Sequence, residues 1–430
     1  MGDHDCPTTQ HKGEDMPNPT PARKVPYYTP RQAIPSGTAI IHPNINTTLP
    51  KLFQPITLRG LTLQNRIWAS PMCEYSADDG HFTDWHLTHL GGIIQRGPGL
   101  IITEATAVTA KGRITPEDAG LWKDSQIEPL KRICDFAHSQ GQHVAVQLAH
   151  AGRKASTVSP WIDRKAAATA EVGGWPDKVI SASDIPYSKE TCIPRPMTLA
   201  DIDSFKKSFI EAVKRALKAG VDAVEVHAAH GYLLHSTLSA ATNQLLTPYS
   251  GSLKNRMRLL LELTALVRAN IPDSMPLLVR IPGSDWCEHL PTIPAWDISQ
   301  CVALARALSA PELGVDFLDI TSAGLMAEQK ITSGPGYQAH FSKAVKESVE
   351  GTGVLTGVVG MIKKGKQAEE YLQEGVADVI LAGRAFQRNT ALVWDWAEEL
   401  GVEVRLANQI GWGFGQRAKG GMVGEKPVTQ

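Results

Sequence analysis

Two histidines and a tyrosine stand within six residues of one another, at His227, His230 and Tyr232. Residues 223–226 directly before them form a short run typical of a buried β-strand, and an amphipathic helical pattern ends just upstream at Gly220. Imidazoles can donate hydrogen bonds to a carbonyl oxygen, and a phenol can deliver a proton. The pattern therefore predicts a site that polarises a carbonyl group and protonates a neighbouring atom.

Two other interpretations of this cluster must be weighed. A zinc pair would need a third ligand and usually a helical or Cys/His-patterned spacing. No acidic or cysteine ligand follows at a suitable distance, so we predict no metal site. The interpretation as a purely structural pair of histidines in a loop remains open at this point, because the cluster alone does not exclude it.

Composition excludes several functional classes. The 430 residues hold 43 Lys and Arg against 44 Asp and Glu, so no charge excess favours nucleic acid or an anionic membrane as partner. No apolar run reaches the length of a bilayer span, and the first residues lack a signal-peptide pattern. The six cysteines are scattered without a C-x-x-C motif, which argues against disulfide, zinc-ribbon and iron–sulfur frameworks. We expect a cytoplasmic protein.

Strand-like and helical patterns alternate through most of the chain. Eight short apolar runs alternate with helical stretches, the clearest of which spans residues 198–219. No G-x-G-x-x-G turn indicates a doubly wound sheet, so we predict an α/β fold of the (β/α)8 TIM-barrel type over residues 49–416. Residues 1–48 are predicted to be an extended or disordered arm, and residues 417–430 a flexible tail. Long rim loops follow strands 3 and 4, at about 149–197 and 230–255.

The residues at the ends of the predicted strands could form a site. In a barrel these ends meet at one rim, which carries the catalytic groups. Glycine-rich backbone follows the seventh strand from Gly357 to Gly360, and Gly383-Arg384 follows the eighth. Glycine backbone next to a fixed positive charge at this place is typical of a phosphate site, and an arginine can bind phosphate in bidentate fashion.

Several longer motifs follow one another along the predicted barrel. They are Leu52-Phe53-Gln54-Pro55-Ile56, Ser70-Pro71-Met72-Cys73-Glu74-Tyr75, Gln147-Leu148-Ala149-His150-Ala151-Gly152-Arg153-Lys154, His227-Ala228-Ala229-His230-Gly231-Tyr232, Val279-Arg280-Ile281, Gly360-Met361-Ile362 and Gly383-Arg384. In this combination and order, residues 51–395 resemble the Old Yellow Enzyme family, in its thermophilic-like bacterial and fungal branch. The resemblance points to a fungal member of that branch.

The resemblance implies FMN as cofactor, lying across the mouth of the barrel. Gln147 would bond the pyrimidine edge, and Arg280 would lie near N1, where a fixed cation stabilises the negative charge of reduced flavin. Arg384 would hold the phosphate with the backbone of Gly360 and Gly383. The remaining implied contacts of the cofactor are Ser70, Pro71, Met72, Cys73, Ala105 and Gly324. Cys73 would tune the flavin potential, although a cysteine there can also be a small buried apolar residue.

The implied activity is a ping-pong ene-reductase. NADPH, or NADH, reduces the flavin and leaves, and an α,β-unsaturated aldehyde, ketone, imide or nitroalkene then binds. His227 and His230 would hold the substrate oxygen, Tyr75 would line the substrate pocket, and Tyr232 would protonate Cα after hydride reaches Cβ. A dienoyl-thioester reductase would need an iron–sulfur cluster and further domains. An FMN barrel with an isomerase or binding role and little net reductase activity remains the alternative, although the presence of Tyr232 disfavours it.

Two departures from the family pattern affect these expectations. In residues 238–252 the family's proline, arginine, aspartate and one glycine are replaced, which puts the shape and rigidity of the substrate pocket in question. Near the C-terminus, Ile410 precedes Gly411-Trp412 where bacterial relatives have an arginine that reaches a neighbouring subunit. We therefore expect an active site complete within one chain, in a monomer or a homodimer, with no role for Arg417.

Overall fold

The computed structural model describes residues 20–41, 48–163 and 166–415. Eight parallel strands pair in sequence order, and the last pairs with the first to close a barrel. This confirms the predicted (β/α)8 fold. The strands are β1 (Ile67–Ala69), β2 (Leu100–Ala107), β3 (Val144–Ala149), β4 (Ala223–His227), β5 (Leu277–Pro282), β6 (Phe317–Thr321), β7 (Leu355–Val358) and β8 (Val379–Ala382).

Helices alternate with the barrel strands along the chain, as the sequence pattern predicts. Two short helices interrupt this simple alternation. One lies between β4 and the long helix that follows it, and the other lies between β8 and the last helix. The helices are α1 (Asp84–Ile94), α2 (Ile127–Ser139), α3 (Leu199–Ala219), α4 (Leu233–Leu238), α5 (Leu253–Arg268), α6 (Ile298–Leu308), α7 (Ala339–Ser348), α8 (Gly365–Gln373), α9 (Arg384–Arg388) and α10 (Leu392–Glu399).

Helix α3 shows how local sequence sets the element boundaries. The Thr198 side chain accepts a hydrogen bond from the Asp201 backbone N–H, and the Asp201 carboxylate accepts one from the Thr198 N–H, which forms a capping box. Gly220 ends the helix with a φ of 88°, a conformation that glycine adopts without steric cost. The helix predicted at 198–219 is thereby confirmed, and its buried face carries Phe205, Phe209 and Val213.

The lower half of the barrel interior is apolar. Side chains that alternate into the barrel, among them Trp68 and Phe317 with ring centroids 4.5 Å apart, form one buried cluster. A hairpin of Ile56–Leu58 and Leu61–Leu63 adds side chains to the same cluster and covers the N-terminal end. Because this end is packed, only the C-terminal end of the barrel offers room for a ligand.

The described part of the N-terminal segment, residues 20–41, lies against the barrel. The Gly37 N–H donates to the carbonyl of Arg405 (2.9 Å), and the Asn65 side-chain amide donates to the carbonyl of Gly37 (3.1 Å). The predictions made for residues 1–19, for 42–47 and for the tail including Arg417 fall outside the described residues.

Both long rim loops are present at the C-terminal end of the barrel. Residues 150–198 follow β3 and contain short 3-10 turns and a two-residue strand pair, Ile180–Ser181 with Arg195–Pro196. Residues 228–252 follow β4 and contain α4, a helix that the sequence pattern does not predict within this loop. The side chains of α4 are buried throughout, so this loop is a packed part of the rim.

Candidate active site

A cavity of about 250 Å³ opens at the C-terminal end of the barrel. Segments that follow β1, β7 and β8 form its walls, and Arg280 and Thr321 border it from β5 and β6. Since parallel strands all end at this rim, residues distant in sequence meet here. The predicted site residues that line the cavity are Ser70, Pro71, Met72, His230, Arg280, Gly360, Gly383 and Arg384.

One end of the cavity has the features of a phosphate site. A Cβ atom on Gly383 would lie 2.6 Å from the Met72 sulfur, so a side chain at this position would force Met72 to move. Three cations line the same end, namely Lys363, Arg384 and Arg388. Glycine backbone combined with fixed positive charge fits a phosphate group. The sequence reasoning missed Lys363 and Arg388, although their closeness in sequence to Gly360 and Arg384 was a usable signal.

Replacing Arg384 with Ala should weaken FMN binding by about 10- to 150-fold, because it removes a charge-assisted contact of roughly 1.5–3 kcal/mol. The dissociation constant is measured by the fluorescence of released FMN during dilution. Arg306→Ala, which removes an exposed arginine on α6, is the matched control and should leave FMN affinity unchanged. Full retention of flavin by Arg384→Ala after dialysis would show that the phosphate lies elsewhere.

A layer of polar side chains lies inside the barrel below the cavity. The Gln147 side-chain amide donates to a Glu225 carboxylate oxygen (2.6 Å), and the Arg280 guanidinium lies 3.0 Å from an Asp319 oxygen. Both carboxyl groups are fully buried. Burial raises the pKa of Glu225, and Asp319 raises it further while Arg280 lowers it. Arg280 also donates to the Ser70 hydroxyl (3.5 Å), so its charge is held at the edge of the cavity.

Glu225 and Asp319 were not predicted as site residues. Their signal was a carboxylate at an inward-facing position of an otherwise apolar strand, since strand residues alternate between the two faces. Each pairs in register with a neighbouring strand that carries a predicted residue, Glu225 with Gln147 and Asp319 with Arg280. Charged groups are rarely buried unless they are paired, and in this layer Arg280 and Asp319 form the ion pair while Glu225 is held by the Gln147 amide.

The three predicted catalytic side chains form one cluster. His227 is the last residue of β4, and its ring centroid lies 5.2 Å from that of His230 and 5.1 Å from that of Tyr232. All three contacts among the rings are edge-to-face. His230 and Gly231 adopt positive φ values of 58° and 76°. The chain turns sharply there, and the ring of Tyr232 comes back into contact with that of His227. The cluster therefore depends on local backbone geometry as well as on the strand.

The electrostatic environment keeps these rings neutral. Burial, followed by the charge of Arg280, holds the pKa of His227 and of His230 well below the usual value. The Ala229 N–H donates to His227 Nδ1 (3.4 Å), so the proton of the neutral ring is assigned to Nε2. Burial, followed by Cys73 and Asp118, raises the pKa of the Tyr232 phenol well above 10. The site thus offers neutral imidazole donors and a protonated phenol.

A buried histidine–aspartate pair supports the turn at His230–Gly231. The Gly231 N–H donates to His235 Nδ1 (2.9 Å), and His235 Nε2 lies 3.0 Å from an Asp285 oxygen. Ser239 and the Trp296 backbone donate to the other Asp285 oxygen. The pair joins the loop after β4 to the loop after β5. Sequence reasoning missed it, because nothing local links His235 to Asp285.

Gly231→Ala should lower the free energy of unfolding by about 2–4 kcal/mol, since the positive φ is unfavourable for alanine and the new Cβ would overlap the Gly324 carbonyl oxygen. Gly220→Ala is the control, because its φ of 88° is similar but nothing lies within 4 Å. It should cost only about 1–2 kcal/mol. Urea unfolding of both variants measures the difference, and equal losses would contradict the close packing of this turn.

Cys73, Tyr75 and Asp118 stand on the side of the site that adjoins Tyr232. Burial is the main cause that raises the pKa of the Cys73 thiol, and the nearby carboxyl groups of Asp118 and Glu104 add to it, so Cys73 stays a neutral thiol. Burial also raises the pKa of Asp118 to about 7. Tyr75 has a positive φ of 47° and an edge-to-face contact with the ring of Trp161 from the loop after β3.

Four of the predicted cofactor residues do not border the main cavity. Gln147 lies in the polar layer below it, as described above. Cys73 and Ala105 lie on the side facing Tyr232, where the Ala105 backbone hydrogen-bonds the thiol. Gly324 has a φ of 86° and packs its carbonyl against Gly231. In this arrangement Gly324 supports the turn at His230–Gly231, a contact between two loops that the pattern of strand ends does not predict.

The altered loop after β4 is anchored in spite of its departures from the family pattern. The Asn243 side-chain amide donates to the carbonyls of Thr237 (2.6 Å) and Tyr249 (2.8 Å). Arg256 of α5 donates to the carbonyl of Leu238, and the Tyr249 hydroxyl donates to Glu262 (2.9 Å). Amide, guanidinium and phenol contacts thus hold the segment to α4 and α5.

Within the described residues, no helix combines the length and apolar character needed to cross a membrane. The same part of the chain contains no group of three or more His, Cys, Asp or Glu side chains arranged to hold a metal ion.

The chain is similar to several known proteins. It is 50% identical over 408 residues to the NADH:flavin oxidoreductase FG08077 of Gibberella zeae, covering 93% of this chain and 96% of that protein. It is 37% identical over 366 residues to an NADPH dehydrogenase of Bacillus subtilis, covering 84% and 99%. Among solved structures, the Old Yellow Enzyme homologue from Zymomonas mobilis matches with a TM-score of 0.64 at 26% identity, covering 83% and 94%.

A closed parallel barrel with this cavity and this cluster of donors defines a flavin oxidoreductase of the Old Yellow Enzyme type. The model of the NADH:flavin oxidoreductase / NADH oxidase family matches residues 51–402, and the chain therefore belongs to that family. The resemblance drawn from the motifs is confirmed. NAD(P)H is the reductant and FMN the flavin that the family implies.

Proposed function

We propose that this protein is an ene-reductase that uses NAD(P)H and tightly but non-covalently bound FMN to reduce activated C=C bonds. The observation that carries the proposal is the cluster of His227, His230 and Tyr232 beside a cavity that Arg280 borders. Two neutral donors next to a protonated phenol match a substrate whose oxygen must be polarised and whose carbon must be protonated. The substrates are α,β-unsaturated aldehydes, ketones, imides and nitroalkenes.

The residues present fit FMN. Lys363, Arg384 and Arg388 supply positive charge for the phosphate, and Gly360 and Gly383 line the same cavity without side chains. Arg280 would lie by the ring edge that becomes negative on reduction, with Gln147 below it and Ala105 and Cys73 at its side. When bound, FMN supplies hydride uptake from a nicotinamide and hydride donation to an alkene carbon.

The two histidines bind the electron-withdrawing oxygen of the substrate. Their depressed pKa values keep both rings neutral at pH 7, so each ring has one N–H to donate and one nitrogen to accept. His230 Nε2 lies 3.0 Å from the Thr321 hydroxyl, which fixes the orientation of its ring. Hydrogen bonds to this oxygen withdraw electrons from the C=C bond, which favours hydride addition at Cβ.

Tyr232 completes the reaction by donating its phenolic proton to Cα. Hydride at Cβ and this proton at Cα together saturate the C=C bond, and the phenolate then regains a proton from solvent. The raised pKa of Tyr232 keeps the phenol protonated between turnovers, as a general acid must be. Tyr75, whose ring is half-buried, would line the substrate side of the pocket.

Isotope labelling tests this assignment. Reduction of a cyclic enone with unlabelled NADPH in D2O should place deuterium at Cα and none at Cβ, because only the proton comes from solvent. NADPH is the proposed donor, since the curated relatives of the chain include NADPH dehydrogenases, and a parallel reaction with NADH measures the preference. A rearranged product without nicotinamide consumption would instead support an isomerase.

A further inference from the structure

Lys154 brings a positive charge into the catalytic cluster. It ends the 3-10 turn Gly152–Lys154 after β3, and its Nζ donates to the carbonyl of His230 (2.9 Å). The same atom lies 4.2 Å from the ring centroid of Tyr187 and 5.7 Å from that of Tyr232. An ammonium group has three donors, and the backbone carbonyl uses one of them. The other two have no hydrogen-bond acceptor among the described residues.

This ammonium has no negative partner in the described part of the chain. No carboxylate there lies within 4 Å of its Nζ, and its charged neighbour is a second cation, Arg153. The guanidinium of Arg153 is engaged by the backbone carbonyls of Ile185, Pro186 and Leu325. Burial, with a smaller contribution from Arg153, lowers the pKa of Lys154 to about 7. The amine is therefore only partly protonated at pH 7, because an enclosed charge without a partner costs free energy, and a bound anion would favour the ammonium form.

Lys154 nevertheless keeps contact with solvent. Its side chain and those of Tyr187, His230 and Tyr232 are half-buried, whereas the groups of the polar layer beneath are fully buried. The Lys154 Nζ contacts the His230 carbonyl and lies near the ring of Tyr232, so it is adjacent to the groups that the proposed ene-reductase presents to its substrate.

We propose that Lys154 recognises an anionic substituent of the substrate, so that the preferred substrates are activated alkenes that also carry a carboxylate or a comparable anion. The inference rests on the proposed function, since it places the alkene oxygen on His227 and His230. An arriving carboxylate would accept a free N–H of Lys154 in a charge-assisted hydrogen bond and would supply the missing counter-charge. A neutral substrate of the same shape would leave the ammonium unpaired.

A binding experiment on the FMN-loaded protein tests this without turnover. The probes are 3- and 4-hydroxybenzoate, each compared with its methyl ester, because a phenol oxygen can bind the two histidines while the second group reaches outward. Dissociation constants come from the absorbance change of the bound flavin. For at least one pair, the ratio of ester to carboxylate dissociation constants should fall about tenfold or more from the native protein to Lys154→Met.

Two variants separate recognition from a structural role. Lys154→Arg keeps the positive charge and should retain most of the native preference for the carboxylate. Lys178→Met removes an exposed lysine of the same rim loop and should leave the ratio at its native value. Equal ratios in the native protein and Lys154→Met for both pairs would overturn the proposal. Equal loss of affinity for the acid and the ester in Lys154→Met would also overturn the proposal, because it would show that Lys154 has a structural role in the loop.

Failure of this inference is distinct from failure of the proposed function. Enone reduction with unchanged ester-to-carboxylate ratios would remove the anion site and leave the ene-reductase in place. If the protein prefers the carboxylate in a Lys154-dependent way but consumes no nicotinamide with enones, the anion site stands and the ene-reductase function is contradicted.

Discussion

Tyr232→Phe should slow reoxidation of the reduced flavin by an enone about 10²- to 10⁴-fold, the usual contribution of a positioned general acid. Reduction by NADPH should stay close to the native rate, because that half-reaction needs no proton at carbon. The replacement keeps the ring that contacts His227 edge-to-face, so the packing of the cluster is preserved. Anaerobic stopped-flow measurement of the two half-reactions separates the effects.

Tyr75→Phe is the control for this prediction. Tyr75 is also half-buried and its pKa is also raised, mainly by burial, but its ring contacts Trp161 of the rim loop. It should therefore alter the enone reaction much less than Tyr232→Phe does. Similar slowing of both half-reactions in Tyr232→Phe would count against the proton-donor role and would indicate a general disturbance of the flavin site.

Replacing both His227 and His230 with Ala should weaken the binding of phenols and enones strongly. Each ring would lose a hydrogen bond to a charged or strongly polarised oxygen, worth roughly 1.5–3 kcal/mol, or about 10- to 150-fold in affinity. The long-wavelength absorbance that a phenol produces with the flavin should disappear at ligand concentrations that saturate the native protein.

The double replacement by Asn provides the comparison for the histidines. An asparagine amide still offers an N–H donor of smaller size, so part of the affinity should return. FMN content must be matched between variants, because His230 borders the cavity. Unchanged phenol affinity in the double Ala variant, with FMN bound, would place the substrate oxygen away from these rings.

The barrel could be predicted from sequence because its signals are local. The buried strands are continuous apolar runs, and α3 carries its own cap at Thr198 and its own stop at Gly220. Positions at strand ends follow from the fold itself, which is why Arg280, His227 and Arg384 were identified. Strand ends shifted by only a few residues; for example, β2 continues through Ala105 to Ala107.

Features that depend on contacts between distant segments could not be read in advance. The pairing of His235 with Asp285 joins two rim loops, and the packing of Gly324 on Gly231 joins two others. The position of Lys154 under the His230 carbonyl likewise depends on how the loop after β3 folds back. Residues 238–252 show the converse, since their departures from the family pattern predicted lost support, whereas Asn243, which the family pattern shares, and Arg256 of α5 anchor the loop.

Anaerobic mixing of the purified protein with NADPH, followed by an enone, tests the central claim most directly. The account predicts that the flavin absorbance is bleached by NADPH and restored by the enone, with one saturated product formed per flavin. A panel of a cyclic enone, a maleimide and a nitroalkene would define the substrate class in the same experiment. A flavin that is not bleached, or that is bleached but restored only by oxygen and by none of these alkenes, would contradict the assignment as an ene-reductase.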